Sequence, residues 1–416
     1  MKSDLDNLMR SRNFNAILVF GNAENNPPMT YLTGGGHVTS ATLVKKLDQD
    51  AVLFCGLMER DEAAKSGLKV RLYDEYPWQE LLKEANGDNS LMAALRLRNI
   101  LTDMGIQGRV GLYGHIELGG MFSTLGHLQK VMPSVELVGE ARESSLFLYA
   151  METKEDAEVA HIRNMGRITI EVVGLTAQYL TSRAVGADEV LLDEAGAPLK
   201  LGVVKGKINL WLAERNAVPS EGFIFSLGRD AGVPHSQGNP DDLMRLGQTI
   251  VFDIYPQEPG GGYFYDFTRT WSLGYATPQA LKLYGQVHSC YDRLIENLFL
   301  NAPFKDSQVL TCEIFEADGH ATPRTHKAPM QGYIHSIGHG VGVNIHERPW
   351  SGLTAAEDNL LKPGVVITIE PGLYYPEQGM GFRIEDTYWV NPNGKIELLA
   401  EYPYDFVLPM KNWKAS

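Results

Sequence analysis

Residues 335–347 read HSIGHGVGVNIHE, and three of the chain's eleven histidines, His335, His339 and His346, fall inside this phrase. Their spacing of four and then seven hints at a helix, but Gly338, Gly340 and Gly342 would each weaken one. A loop-and-strand reading fits better. The phrase is not a zincin signature, because Ser336 stands where HExxH needs a glutamate. A lone histidine is often only a local hydrogen-bonding group, whereas three so close together point to function. Outward from this phrase, residues 366–372 (VITIEPG) end a strand candidate at Glu370, on the face shared with Val366 and Thr368. Pro371-Gly372 is expected to stop that strand. Residues 382–390 (FRIEDTYWV) place Glu385 two positions after Arg383, and Phe382, Ile384 and Tyr388 suggest a core strand. Upstream, residues 249–256 (TIVFDIYP) end an apolar run at Asp253, and residues 263–271 (YFYDFTRTW) set Asp266 in a second strand candidate, Tyr263 to Leu273. Gly260-Gly261-Gly262 offers a hairpin tip between the two aspartates.

Four carboxylates and one imidazole suit two hard or borderline divalent cations better than a lone zinc ion. Packed into one pocket, the four acids would carry about −4 and could not all stay ionised uncompensated. Two divalent ions cancel that charge, can hold a water at lowered pKa and can polarise a carbonyl. Amide hydrolysis is the chemistry this set implies. Arg383 has two readings: it orients Glu385, or it reaches a substrate carboxylate.

The chain has 416 residues, long enough that two domains are the prior. Its hydrophobic content of 44% and charged content of 21% are ordinary for a globular protein. A net charge of −14 lacks the basic stripe of a nucleic-acid binder. Three scattered cysteines, Cys55, Cys290 and Cys312, form neither a disulfide framework nor a zinc ribbon, and fit a reducing, cytoplasmic setting. The opening MKSDLDNLMRSRN lacks a signal peptide's apolar core, and no apolar run approaches membrane-spanning length. We expect neither nucleic acid nor membrane as a partner.

Residues 1–150 alternate helix-like and strand-like patterns and read as an α/β module. Helices are expected at Asp4 to Arg12 and Ser90 to Met104, and strands at Ala16 to Phe20, Ser40 to Leu47, Ala51 to Cys55 and Val110 to Tyr113. A loop is expected around MTYLT, between Asn26–Pro28 and Gly34–Gly36. The second half, 151–416, opens with a long helix from about Thr153 to Tyr179. Further helices are expected at Val203 to Arg215, Pro278 to Leu300 and Ser307 to Asp318, in a region that turns strand-rich after Ser220.

The order Asp, Asp, His, Glu, Glu in D…DFTRT, HSIGHGVGVNIHE, ITIEPG and FRIEDT resembles the methionine aminopeptidase/proline peptidase superfamily. The closest branch looks like the Xaa-Pro aminopeptidases and Xaa-Pro dipeptidases (prolidases). The resemblance implies an α+β fold, with a C-terminal pita-bread catalytic domain (151–416) preceded by a creatinase-type α/β N-terminal domain (1–150). It implies that Asp253 chelates one metal, that Asp266 and Glu385 bridge, and that His339 and Glu370 bind the second metal. Manganese is the favoured ion, with cobalt, iron or zinc as alternatives. His346 matches the histidine that steadies the tetrahedral intermediate. His235, in GVPHSQGNP, and His335 match pocket histidines, and Arg383 matches the arginine beside the final glutamate. The implied reaction is hydrolysis of the bond before proline in short peptides, with Glu370 shuttling a proton, in a homodimer or homotetramer.

Two departures from that pattern stand out. Many relatives have Asp-x-Gly at the first ligand, where this chain has Tyr255-Pro256 after Asp253-Ile254. The two aspartates are also thirteen apart, slightly longer than usual, and the glycine-rich tip can absorb the extra residues. Alternatives on the same scaffold are a creatinase-like hydrolase without metal, a metal-dependent non-peptidase, and a binding module that has lost catalysis. The complete ligand set argues against the first and the last.

Overall fold

Strand-length apolar runs in the first 151 residues pair into one mixed six-stranded sheet. The computed structural model describes residues 4–36 and 38–413. Contacts divide the chain into two units: residues up to Met151 together with Gly260–Gly262, and Glu152–Pro259 together with Tyr263 onward. In the first unit the strands are β1 (Ala16–Gly21), β2 (Ala41–Lys46), β3 (Val52–Cys55), β4 (Lys69–Leu72), β5 (Gly108–Gly114) and β6 (Val135–Val138). Their order is β4-β3-β2-β1-β5-β6, with β1 antiparallel to β2 and parallel to β5. Helices α1 (Leu5–Ser11), α2 (Pro27–Thr33), α3 (Arg60–Ala64), α4 (Trp78–Glu84), α5 (Asn89–Asp103), α6 (Leu118–Val131) and α7 (Leu146–Met151) complete it. Leu95, Ile100 and Leu101 of α5 pack with Leu18, Phe54 and Val110 of the sheet in one apolar core.

One expectation here fails. The segment expected as a loop around MTYLT is helix α2. Its two prolines sit in the first turn, where no intrahelical donor is needed, and Gly34 at φ 74° ends it in the left-handed conformation.

The second unit opens with α8 (Asp156–Thr181), which starts after Glu155 because Glu155 and Glu158 form a reciprocal capping box. A short hairpin, β7 (Ala184–Val185) and β8 (Leu191–Leu192), leads to α9 (Leu201–Glu214). Then come β9 (Ile224–Leu227), α10 (Gly228–Ala231), β10 (Thr249–Ile254) and β11 (Phe267–Leu273). Helix α11 (Pro278–Glu296), whose first turn is capped by the Thr277 hydroxyl, and α12 (Lys305–Ala317) follow. The remaining strands are β12 (His339–Gly340), β13 (Glu347–Trp350), β14 (Val366–Ile369), β15 (Gly372–Tyr375), β16 (Met380–Arg383), β17 (Asp386–Val390), β18 (Ile396–Leu398) and β19 (Val407–Leu408).

These strands form a four-stranded sheet β19-β11-β10-β9, a five-stranded sheet β13-β12-β14-β17-β18 and the hairpin β15-β16. A single antiparallel bridge, Thr268 with Glu385, joins β11 to the turn between β16 and β17. Helices cover the outer faces. Ile162 and Val172 of α8 and Val204 and Ile208 of α9 pack with Ile250, Phe252, Ile254 and Trp271. Val287, Leu294 and Phe315 of α11 and α12 pack with Ile367, Ile369 and Phe382.

The alternation of β10 therefore decides where Asp253 points. Ile250, Phe252 and Ile254 face the helices, while Val251 and Asp253 take the opposite face. Three strand expectations also change at the candidate ligand positions. Asp266 precedes β11, Glu370 follows β14, and Glu385 lies in the break between β16 and β17. Pro371 does stop β14, but the chain restarts at once as β15 in another sheet.

Candidate metal centre

Hairpin β10–β11 sets Asp253 opposite Thr268, and the bridge between Gln257 and Phe264 closes the extra residues into the tip beyond them. Asp253, Asp266, His339 and Glu385 are buried, and Glu370 keeps 13% of its side chain exposed. With His235, His335, His346 and Arg383 they line one cavity of about 440 Å³. All nine residues singled out in the sequence thus meet in one place. Asp266, His339 and Glu385 come closest, each offering a ligand atom within 4.8 Å of the others. Glu370 Oε1 stands 3.5 Å from His339 Nε2, and Asp266 Oδ2 stands 3.6 Å from it.

Local contacts aim these groups. His339 Nδ1 lies 3.1 Å from the Gly340 carbonyl oxygen, which suits an Nδ1–H donor and leaves Nε2 facing the acids. The His339 backbone N–H donates to Thr368 Oγ1 at 3.1 Å, tying the glycine-rich loop to β14. Thr268 Oγ1 donates to Glu385 Oε2 at 2.7 Å and accepts from Arg383 Nε at 3.2 Å. Arg383 also donates to Asp253 Oδ2, and to the Tyr374 hydroxyl at 2.6 Å. Of its two sequence readings, this geometry favours orientation. The guanidinium holds Asp253 directly and reaches Glu385 through Thr268, with Nε, Nη1 and Nη2 all donating to protein partners.

His335 is fixed by the Ser336 carbonyl at 2.7 Å and the Tyr374 hydroxyl at 2.9 Å. The His346 ring meets His339 edge to face at 4.3 Å. The cavity also holds Glu221 and Trp350, which the sequence reading did not single out, and Tyr255, which it noted only as a departure from the family pattern. Tyr255 had a signal, since it lies two positions beyond Asp253 and so continues its face. Glu221 and Trp350 had none.

The electrostatics show too many acids for the cations present. Burial, then the charges of Asp253 and Glu370, hold Asp266 well above the usual carboxylate range. Burial and the charges of Asp266, Glu370 and Asp253 do the same to Glu385. Burial, with Asp253 opposing the help of Arg383, pushes Glu370 up to about 8. Burial lowers His339 and His335 to about 3, so both imidazoles are neutral and available as ligands or hydrogen-bonding groups. Two carboxylate oxygens, Asp253 Oδ1 and Glu385 Oε1, are buried without a hydrogen-bond partner among the described residues. Buried acceptors are ordinarily satisfied. Oxygen-rich donors, orphaned oxygens and uncompensated negative charge all fit divalent cations.

These features fit a metal-dependent hydrolase. The sequence profile of metallopeptidase family M24 matches residues 163–392, and the chain belongs to that family. It is 32% identical over 193 residues to a putative dipeptidase, YkvY, of Bacillus subtilis, covering 45% of this chain and 48% of the relative. It is 31% identical over 190 residues to an Xaa-Pro dipeptidase of Pyrococcus furiosus, covering 45% and 50%. The chain spans about half the length of the curated relatives it matches. Among solved structures it resembles a Pyrococcus horikoshii dipeptidase, with TM-score 0.73 and 22% identity over 97% of this chain and 98% of the other. It likewise resembles an Xaa-Pro dipeptidase from Bacillus anthracis, with TM-score 0.75 and 18% identity over 97% of each chain. The fold is thus the two-domain pita-bread arrangement expected from the sequence.

Proposed function

We propose that the protein is a dinuclear-metal hydrolase that cleaves the peptide bond before proline, in Xaa-Pro dipeptides or at Xaa-Pro N-termini of short peptides. The observation that carries this reading is the convergence of four carboxylates and one imidazole on one cavity, with buried oxygens left unpartnered. The names of the relatives support the peptide substrate class. Asp253, Asp266, His339, Glu370 and Glu385 would hold two divalent ions, with manganese first and cobalt, iron or zinc as alternatives. When bound, such a pair supplies an acidified water and polarises the scissile carbonyl.

The protein's own groups do the rest. Glu370, at the cavity wall, takes the proton released by the attacking water and passes it to the leaving imino nitrogen. His346 and His235 donate N–H groups to the developing oxyanion. His335, held by Ser336 and Tyr374, shapes the substrate wall, and Arg383 keeps Asp253 and Glu385 in place. The same reading takes a cytoplasmic homodimer or homotetramer as the working form. Three buried free cysteines support a reducing compartment, and exposed Leu118 and Phe122 on α6 support self-association.

The test is a panel of Xaa-Pro, Xaa-Pro-Yaa and non-proline peptides, with metal-stripped protein reloaded with Mn²⁺, Co²⁺ or Zn²⁺. Cleavage confined to proline peptides, abolished by Asp266→Asn or Glu385→Gln, is the expected outcome. Cleavage of Xaa-Pro alone would make it a dipeptidase. Full metal occupancy without peptide cleavage would point to a non-peptidase hydrolase or lyase instead.

A further inference from the structure

Glu347 closes the phrase HSIGHGVGVNIHE, yet it does not line the cavity, and its carboxylate lies fully buried. It meets Lys154 Nζ at 2.7 Å, and the Lys154 side chain is only 2% exposed. The two residues are 193 positions apart. The other carboxylate oxygen accepts the Asn344 backbone N–H at 2.9 Å. The same carboxylate lies hard against the loop, since a Cβ on Gly342 would stand 2.5 Å from Oε2.

The loop Val341–His346 needs such an anchor. Its preceding strand β12 is only two residues long, and its glycines fix little by themselves. From Gly342 the loop runs to Phe264, whose N–H donates to the Gly342 carbonyl at 2.8 Å, two residues before Asp266. The anchor is itself braced. The Lys154 N–H donates to the Gly364 carbonyl at 2.7 Å. Arg348, next in sequence to Glu347, pairs with Glu152 at 3.6 Å and with Asp358 at 3.1 Å. Two adjacent residues after His346 are therefore pinned to the segment Glu152–Lys154.

We propose that the buried Lys154–Glu347 ion pair is a positioning device that fixes the loop Val341–His346 and so holds the His346 ring beside His339 in the cavity. Neither residue touches substrate. Both act through the loop, and the inference rests on the proposed hydrolase reading for its kinetic consequence.

The test compares the full-length protein with Lys154→Met, Glu347→Gln and the double variant. Each single change leaves one charge buried and unpaired, so each is expected to lower the melting temperature. The double variant removes both charges and is expected to recover most of that loss. The kcat of all three is expected to fall about 10–100-fold, the range seen when an orienting group is lost. KM and Mn²⁺ affinity should stay within about threefold, because the ligand His339 is held separately by Thr368 and Gly340. The His346 imidazole NMR signal, assigned with His346→Gln, should move in all three variants. If a single variant fails to fold, the double variant carries the test. Recovery of kcat together with melting temperature in the double variant would overturn the proposal, as would an unmoved His346 signal. If the wild type cleaves no proline peptide, the proline-peptidase reading falls, and the NMR signal alone still decides the positioning role.

Discussion

Glu370 has an ordinary carboxyl in the unfolded chain, titrating at about 4. In the fold it is pushed up to about 8 by burial, and Asp266 and Glu385 are raised with it. The native state then binds more protons than the unfolded chain between those values. Stability is present below the unfolded pKa and falls as pH rises through the folded one. Chelated protein should therefore lose urea resistance from about pH 5 to about pH 8, beyond what Mn²⁺-loaded protein loses. Equal midpoints across that window without metal would contradict the charge account. At this scale the sequence was highly legible. Each of the five candidate ligands stands in a distinctive phrase, and His346 and Arg383 ride on those phrases. Glu221 and Trp350 reach the cavity through tertiary packing, which leaves no local trace.

Elements were legible where one periodicity ruled. Helices α8, α9, α11 and α12 carry apolar stripes at helical spacing, and the sequence placed each to within a few residues. Helix α2 was hidden because its prolines and glycines read as loop punctuation, although they sit at its start and stop. Strand pairing was also hidden. Nothing local says that Glu385 breaks a strand, because that break exists to meet Thr268 of another sheet. Close packing between elements gives a direct test. A Cβ on Gly338 would lie 2.1 Å from the Thr368 carbonyl of β14, and Ser351 Oγ already donates to the Gly338 carbonyl at 2.5 Å. Gly338→Ala must push the histidine loop off its strand. It should cost about 1–3 kcal/mol in denaturant unfolding and lower turnover. An unchanged midpoint would mean that the loop is not so tightly seated.

The whole molecule joins candidate ligands from opposite ends of its second unit. Asp253 and Asp266 come from one hairpin, and His339, Glu370 and Glu385 from loops and breaks around a second sheet. Apolar helices on the outer faces of these sheets leave the acids facing inward. That placement suits positive charge in the space between them, since Arg383 alone cannot balance four ionised carboxylates. The direct measurement is anomalous X-ray scattering from crystals of the full chain grown with Mn²⁺. Two peaks roughly 3.5–4 Å apart, both ringed by Asp253, Asp266, His339, Glu370 and Glu385, are the predicted result. A single ion, or ions bound elsewhere while these five side chains pair only among themselves, would contradict the account.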